Sequence, residues 1–190
     1  MMKKQIKLRL AIIAILVMLT IPAVMAYMYF KTNNIDNIFV PANVTCDVIE
    51  DYDGEVKSSI KVQNTGNIDA YIRLKVYTYW VNSKGNVVGR TPNPTLSFAY
   101  NENDWIQSGN MYYCKKPIQV NGLTPELLKT GSSIILDHIE EYVTNNGTTV
   151  KYEYKQVVEI VAEGIQSNPD EAAMESWNVV ITDGKITSVN

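Results

Sequence analysis

The stretch from Val56 to Trp80, VKSSIKVQNTGNIDAYIRLKVYTYW, decides the fold. Two β-rich runs flank the cluster from Asn64 to Asn67, whose residues tolerate the positive φ angles and side-chain-to-backbone hydrogen bonds of turns. In the second run, apolar residues (Ala70, Ile72, Leu74, Val76) alternate with polar or aromatic ones (Tyr71, Arg73, Lys75, Tyr77). A period of two gives a strand one apolar face and one wet face. We therefore predict a central antiparallel strand pair, joined as a core hairpin, and expect no catalytic role for it.

Short β-rich segments separated by turns continue along the chain. Alternation between Val44 and Ile49 predicts a strand, and the longest predicted strand runs from Val150 to Glu163. Hairpin turns are predicted around Gly85 and Gly147, and a last hairpin-like pair is expected between Val179 and Val189. One helix is predicted before Trp177, with Ser167 or Asn168 as its cap and Pro169 in its first turn. This pattern predicts an all-β fold with one or two short helices, a jelly-roll-like antiparallel β-sandwich.

The first 26 residues have the pattern of an export signal. Its features, in order, are a basic start (Lys3, Lys4, Lys7, Arg9), an uncharged apolar run (Leu10 to Ile21), a helix-breaking proline (Pro22) and small residues before the cut (Val24, Ala26). We predict a cleavable hydrophobic helix over residues 1–26, cut between Ala26 and Tyr27. One alternative stays open: no charge occurs between Leu10 and Phe30, so that segment is long enough to span a membrane uncleaved.

Removal of the signal changes the charge of the chain. The whole sequence has a net charge of −3, and the signal takes away four of the 17 basic residues and none of the 20 acidic ones, which leaves −7. An acidic exported chain without a basic cluster argues against nucleic acid or an anionic membrane as a partner. We expect a protein secreted to the extracellular matrix or the cell surface, in contact with a membrane only through its signal before cleavage.

The segment that follows the signal has no partner strand adjacent to it in sequence. Residues 27–41 end on Ile38, Phe39 and Val40 before Pro41, and proline is a poor residue for a central strand. We therefore predict an N-terminal arm over residues 27–41 that lies at an edge or outside the compact body. The sandwich domain is predicted to cover residues 42–190.

The sequence contains two cysteines, Cys46 and Cys114. An oxidising exterior permits a disulfide between them, but only if their Cα atoms come close together. The alternative is a pair of buried free thiols, and the sequence leaves both open.

No catalytic or metal-binding set of residues is found. His138 is the only histidine, with no cysteine or histidine at ligand spacing around it. The segment from Asp51 to Gly54 begins like a calcium loop but lacks the later acidic ligands, so a turn is predicted there. We expect neither enzyme activity nor a cofactor.

Several segments together carry a resemblance to a known family. They are, in order, Phe39-Val40 with Asn43-Val44, VQNTGNIDAYIRLKV (62–76), Trp80, GNMYYCKKPI (109–118), VAEGIQ (161–166) and Trp177. Over nearly the whole mature chain they resemble the TasA/camelysin-like exported proteins of Gram-positive bacteria, which a SipW-type signal peptidase processes. Cys114 departs from the family pattern, which usually has another aromatic residue there.

The resemblance implies a structural role. In that family, jelly-roll-like subunits form extracellular biofilm matrix fibres, and the freed N-terminal arm pairs as an extra strand with the next subunit. The implied partners are the SipW-type signal peptidase during export and copies of the chain or related matrix proteins in a head-to-tail fibre. The side chains expected to fill the neighbour's pockets are Tyr29, Phe30, Ile38 and Phe39. Some relatives are called metallo-endopeptidases, but this sequence has no H-E-x-x-H motif.

A second function class stays open. The same sandwich without polymerisation would be a monomeric secreted or cell-surface binding module. Its ligand surface would then lie in the tyrosine-rich loops near Tyr100, Tyr112 and Tyr113, because aromatic residues often mark binding surfaces.

Overall fold

The computed structural model describes residues 41–89 and 96–190. The predicted signal and the arm up to Val40 lie outside these residues. The chain divides into two units after Pro41, and everything described below belongs to the second unit, Ala42–Asn190, apart from Pro41 itself.

Eleven strands and one helix are found in the described residues. They are β1 (Cys46–Tyr52), β2 (Val56–Asn64), β3 (Ala70–Asn82), β4 (Val87–Val88), β5 (Trp105–Ser108), β6 (Met111–Cys114), β7 (Ile134–Ile135), β8 (His138–Asn145), β9 (Thr148–Gln166), α1 (Glu171–Trp177), β10 (Val179–Thr182) and β11 (Lys185–Val189). No helix in this part of the chain is long and apolar enough to cross a membrane.

The strands form two facing sheets and a separate hairpin. The small sheet has the order β1-β2-β7, and the large sheet has the order β5-β6-β3-β9-β8, with β4 beside β3. β10 and β11 pair with each other, and every pair of strands in the described residues is antiparallel. The predicted all-β sandwich is therefore confirmed.

The main core lies between the small and the large sheet. Its fully buried side chains include Ile60 and Val62 of β2, Ile72 and Leu74 of β3, and Trp105 of β5. These residues alternate along their strands, so burial of one face per strand supplies the hydrophobic stabilisation of the sandwich.

A second cluster covers part of the other face of the large sheet. Tyr71 and Tyr113 pack there against Trp177 of α1 and Ile186 of β11. The guanidinium of Arg73 lies 4.6 Å from the ring centroid of Trp177, within the range of a cation–π interaction. The short helix and the last hairpin therefore act as a cover for the outer face of β3 and β6.

The connection between β2 and β3 differs from the predicted core hairpin. Both strands are central, but each lies in a different sheet, so the turn from Asn64 to Asn67 carries the chain across the sandwich. The side-chain amide of Asn64 donates to the carbonyls of Ile68 and Ile118, both at 2.9 Å. Its Oδ1 accepts from the Gly66 N–H at 3.0 Å. A fully buried amide with three hydrogen bonds stabilises this corner. If β2 and β3 paired with each other across the turn, these hydrogen bonds could not form.

Among the other local predictions, the hairpins are confirmed and the helix cap is wrong. The hairpins around Gly85 and Gly147 and the final pair β10–β11 are confirmed. The predicted helix cap is wrong: α1 follows Asp170, and Asp170 makes no capping side-chain hydrogen bond. Its carboxylate instead accepts from the Tyr71 hydroxyl at 2.9 Å, and the Ser167 hydroxyl donates to the carbonyl of Asp69. Contacts with the large sheet therefore outweigh local capping here.

We predict that Asn64→Ala lowers the free energy of unfolding by about 2–4 kcal/mol, because buried groups at the corner lose their partners. Urea denaturation followed by circular dichroism measures this. Asn103→Ala is the matched control, since Asn103 is exposed and its side chain makes no hydrogen bond that would be lost. An equal effect of the two substitutions would contradict the role given to Asn64.

Candidate functional site: the open edge of β9

β9 is paired unequally on its two sides. On one side it pairs with β3 along thirteen residues, Tyr154–Gln166. On the other side it pairs with β8 along Thr148–Lys155, and the Gln156 N–H donates to the Asp137 carbonyl at 2.8 Å. From Val157 to Gln166, no strand in the described part of the chain pairs with that second side. We call these ten residues the open edge; they extend over about 30 Å at ~3.4 Å per residue.

The direction of the peptide groups along the open edge follows from two hydrogen bonds. Gln156 directs its N–H toward the β8 side. The Val76 N–H of β3 donates to the Asn110 carbonyl, on the side of β3 away from β9. Ile160, the residue of β9 that pairs with Val76, therefore directs its own N–H and C=O away from β3. Since strand residues alternate and this ladder has no register shift, five residues present their N–H and C=O outward: Val158, Ile160, Ala162, Gly164 and Gln166.

The side chains beside the open edge are incompletely covered. Val158 is buried, but Ile160 and Ala162 are half-buried although they pack against the main core. Across from them, β1 is the edge strand of the small sheet, and its core-facing Cys46 and Val48 are half-buried as well. One side of the sandwich therefore has half-covered apolar side chains between two sheet edges, beside peptide groups of β9 with which no strand of the described residues pairs; we call this surface the groove.

The chain enters the sandwich at one end of this groove. Asn43 and Asn67 exchange two hydrogen bonds: the Asn43 N–H donates to Oδ1 of Asn67 at 2.7 Å, and the Asn67 N–H donates to the Asn43 carbonyl at 3.0 Å. Next to them, the Cγ1 atom of Val44 lies 2.6 Å from the position that a Cβ atom would take on Gly164. Only glycine leaves room for this contact, so residues 42–45 are held near the Gln166 end of the open edge.

Charged residues lie mainly on the opposite face of β9. Glu163 accepts from Nε of Arg73 at 2.8 Å and from Nη2 at 2.6 Å, and this arginine lies over Trp177. Glu159 is exposed. The groove is thus apolar on its inner wall and acidic on the outside.

Both cysteines are free thiols in this structure. Cys46 is half-buried in the groove, with its sulfur 3.8 Å from the Cβ position of Gly164 on β9, whereas Cys114 is buried in β6. β3 lies between β6 and β9, which separates the two side chains. Burial raises the pKa of the Cys114 thiol to about 11. The pKa of Cys46 is also raised, first by burial and then by the nearby Asp47 and Glu163 carboxylates.

The three tyrosines of the predicted ligand surface differ in their exposure. Tyr112 and Tyr113 are each only 5% exposed, because the two sides of β6 face the two apolar clusters. Tyr100 is half-buried, and its ring lies edge-on to Tyr112 with centroids 5.4 Å apart. Tyr112 and Tyr113 are therefore core residues, whereas Tyr100 is only partly covered and lines a surface cavity.

The other predicted site residues lie outside the described residues: the cleavage pair (Ala26, Tyr27) and the arm side chains (Tyr29, Phe30, Ile38, Phe39). His138 is exposed at the start of β8. Over residues 41–89 and 96–190, no group of three or more histidine, cysteine, aspartate or glutamate side chains could hold a metal ion.

Comparison of the chain with protein-family models, with curated proteins and with solved structures found no match. The resemblance to the TasA/camelysin-like proteins therefore stays a prediction.

The longest strand predicted from the sequence corresponds to β9, but the sequence analysis does not predict its open edge. The signal that was available is a difference in length. Between Leu136 and the turn at Asn145, only about eight residues are available for a strand that pairs with β9. β9 itself is longer and continues to Gln166.

We predict that one thiol of the unassembled mature chain, Cys46, reacts with iodoacetamide under native conditions and that Cys114 reacts only after denaturation. The reason is the difference in burial and the high pKa of Cys114. Intact-mass measurement counts the adducts, and peptide mapping assigns them. A denatured, unreduced chain that takes up no label would show a disulfide instead.

Proposed function

We propose that this chain is a secreted structural subunit of an extracellular biofilm matrix fibre. Subunits polymerise when the N-terminal arm of one pairs as an added strand with the sandwich of the next. The observation that carries this proposal is the open edge of β9, ten residues long beside a half-covered apolar groove. The arm from Tyr27 to Val40 has fourteen residues, enough to pair along all of it.

The physical basis is the addition of a strand to an unpaired sheet edge. Main-chain hydrogen bonds to the five outward-facing residues supply affinity, and alternate side chains of the arm fill the groove. The apolar residues that supply these side chains are Tyr29, Phe30, Ile38 and Phe39; since neighbours in a strand point to opposite faces, one residue of each adjacent pair enters the groove. They would cover Ile160 and Ala162 on one wall and Cys46 and Val48 on the other. Burial of this half-exposed surface is the hydrophobic part of the gain.

Apart from the exposed Glu159, the open edge lacks the usual protection against such pairing. Natural proteins blunt exposed edges with proline, bulges or lysine. Between Val157 and Gln166 there is no proline or lysine, and the ladder with β3 shows no register shift. An edge left in this state is suited to a specific partner strand.

Cleavage after Ala26 would control assembly. An arm that is still fused to a membrane-inserted helix is not free to enter a neighbour's groove, so a SipW-type signal peptidase releases it. The resulting contact joins two different surfaces of the chain, which does not close on itself and therefore propagates as a filament. We assign the chain no enzymatic role and no cofactor.

The test compares purified Tyr27–Asn190 with a truncation that begins at Ala42, by electron microscopy and sedimentation. A third sample carries Ala162→Pro, which removes an outward N–H of the open edge without removing a hydrogen bond to β3. The matched control is Tyr142→Pro, which removes an outward N–H from β8 in the exposed ribbon that β8 forms with the start of β9.

We expect fibres from Tyr27–Asn190 and from Tyr142→Pro, and monomers from the truncation and from folded Ala162→Pro. Monomers from all four samples, or fibres from the truncation, would rule out assembly through the arm.

A further inference from the structure

We infer that Asn146, at the tip of the ribbon formed by β8 and the start of β9, is a site of spontaneous deamidation in the folded chain. One of the two products, isoaspartate, opens the end of this ribbon. The reaction needs only the folded chain and water, so it is independent of the proposed function.

An Asn-Gly pair contains both reacting groups of this reaction. The main-chain nitrogen of Gly147 attacks Cγ of Asn146, and the new C–N bond closes a five-membered succinimide ring. The side-chain nitrogen of Asn146 leaves as ammonia and takes up the proton that the Gly147 nitrogen loses. Water then opens the ring at either carbonyl, which leaves aspartate or isoaspartate. Glycine in the second position favours the attack, because it has no Cβ atom and its backbone has the greatest conformational freedom.

The tip of the ribbon leaves these groups unhindered. Asn146 and Gly147 form the two-residue turn between Asn145 and Thr148, which pair with each other, and their φ angles are 49° and 77°. All four residues are exposed, and a Cβ atom on Gly147 would meet no heavy atom within 4 Å beyond its chain neighbours. Within residues 41–89 and 96–190, neither the Asn146 side chain nor the Gly147 N–H has a hydrogen-bond partner. The turn can therefore rearrange toward ring closure without loss of core contacts.

The second Asn-Gly pair of the sequence, Asn121-Gly122, has different surroundings. The Gly122 N–H, which would have to attack, donates to the Gln119 carbonyl at 2.8 Å, and the Gly122 carbonyl accepts from the Asn64 N–H at 3.0 Å. The Asn121 N–H donates to the Asn64 carbonyl at 2.9 Å. A Cβ atom on Gly122 would lie 2.9 Å from the Gln119 carbonyl oxygen and 3.1 Å from Cγ2 of Ile118. Asn121 is itself exposed, so the fixed backbone rather than burial protects this pair.

Isoaspartate changes the backbone of the turn. The main chain then passes through the side chain of residue 146, which adds one backbone atom that a two-residue turn cannot accommodate. The pairs next to the turn are exposed, and the hydroxyls of Thr144 and Thr149 form a hydrogen bond of 2.8 Å there. Since no core packing holds these pairs, their hydrogen bonds are lost with the turn. Aspartate adds the same negative charge but keeps the turn, because Asp-Gly also favours type I′ geometry.

The test incubates the folded mature chain, Tyr27–Asn190, kept monomeric in a mildly alkaline buffer, and measures conversion of each Asn-Gly pair by peptide mapping. An isoaspartyl methyltransferase identifies isoaspartate, because it methylates that carboxylate. Asn146→Gly is the matched variant, since a Gly-Gly pair keeps a type I′ turn and has no side-chain amide. The same chain in urea gives the reactivity of both pairs without structure.

We expect Asn146 to convert at least about tenfold faster than Asn121 in the folded chain, because Asn121 reacts only after local unfolding. In urea the two should convert at similar rates, and Asn146→Gly should retain only the slow conversion at Asn121. Equal rates in the folded chain would overturn the inference, and so would conversion of Asn146 in urea alone.

Backbone amide exchange tests whether the ribbon opens. The isoaspartate form, separated by chromatography, is compared with Asn146→Asp, which has the same charge and an intact turn. We expect about tenfold faster exchange at Asn145 and Thr148 in the isoaspartate form only, since their pairing is lost there. Equal exchange in the two forms would overturn the opening of the ribbon.

Discussion

The second half of β9 has peptide groups with which no strand in the described residues pairs, and the proposed assembly depends on them. Within residues 41–89 and 96–190, β9 has neighbours on both sides as far as Gln156 and on one side only from Val157 onward. Five residues there direct N–H and C=O groups away from β3, where no strand of the described residues pairs with them, and the side chains of two of the five, Ile160 and Ala162, are half-buried. Such an edge can be hydrated, but it gains hydrogen bonds and apolar burial together when a strand is added.

The corner at Asn64 creates the groove beside this edge. If β2 and β3 formed a hairpin, they would lie in one sheet and the small sheet would not exist as a separate layer. Because the buried Asn64 amide bonds to Ile68 and Ile118 instead, the chain crosses between the sheets. β1, which pairs with β2, then becomes the edge strand across from β9, and Cys46 and Val48 form the second wall. A buried turn residue outside β9 therefore decides which strand lies across from the open edge.

The sequence predicts the strands well and their arrangement poorly, for physical reasons. Alternation in β3 and the Asn-Gly turn before β9 are local signals, and both predictions are confirmed. The sheet crossing at Asn64 depends on a carbonyl 54 residues away, which no local pattern contains. Burial of Tyr113 depends on α1 and the last hairpin, which cover the second face of the large sheet. The open edge arises because β8 begins only at His138, which pairs with Lys155, and this relation between the two strands is seen only in their register.

Backbone amide exchange along β9, measured by NMR on the mature chain kept monomeric, tests the central claim most directly. The account predicts fast exchange at Ile160 and Ala162, which face outward, and slow exchange at Val161 and Glu163, which face β3. On assembly, the outward pair should become as protected as the inward pair. Slow exchange at all four amides in the isolated monomer would mean that the edge is already occupied within one molecule, and it would contradict the account.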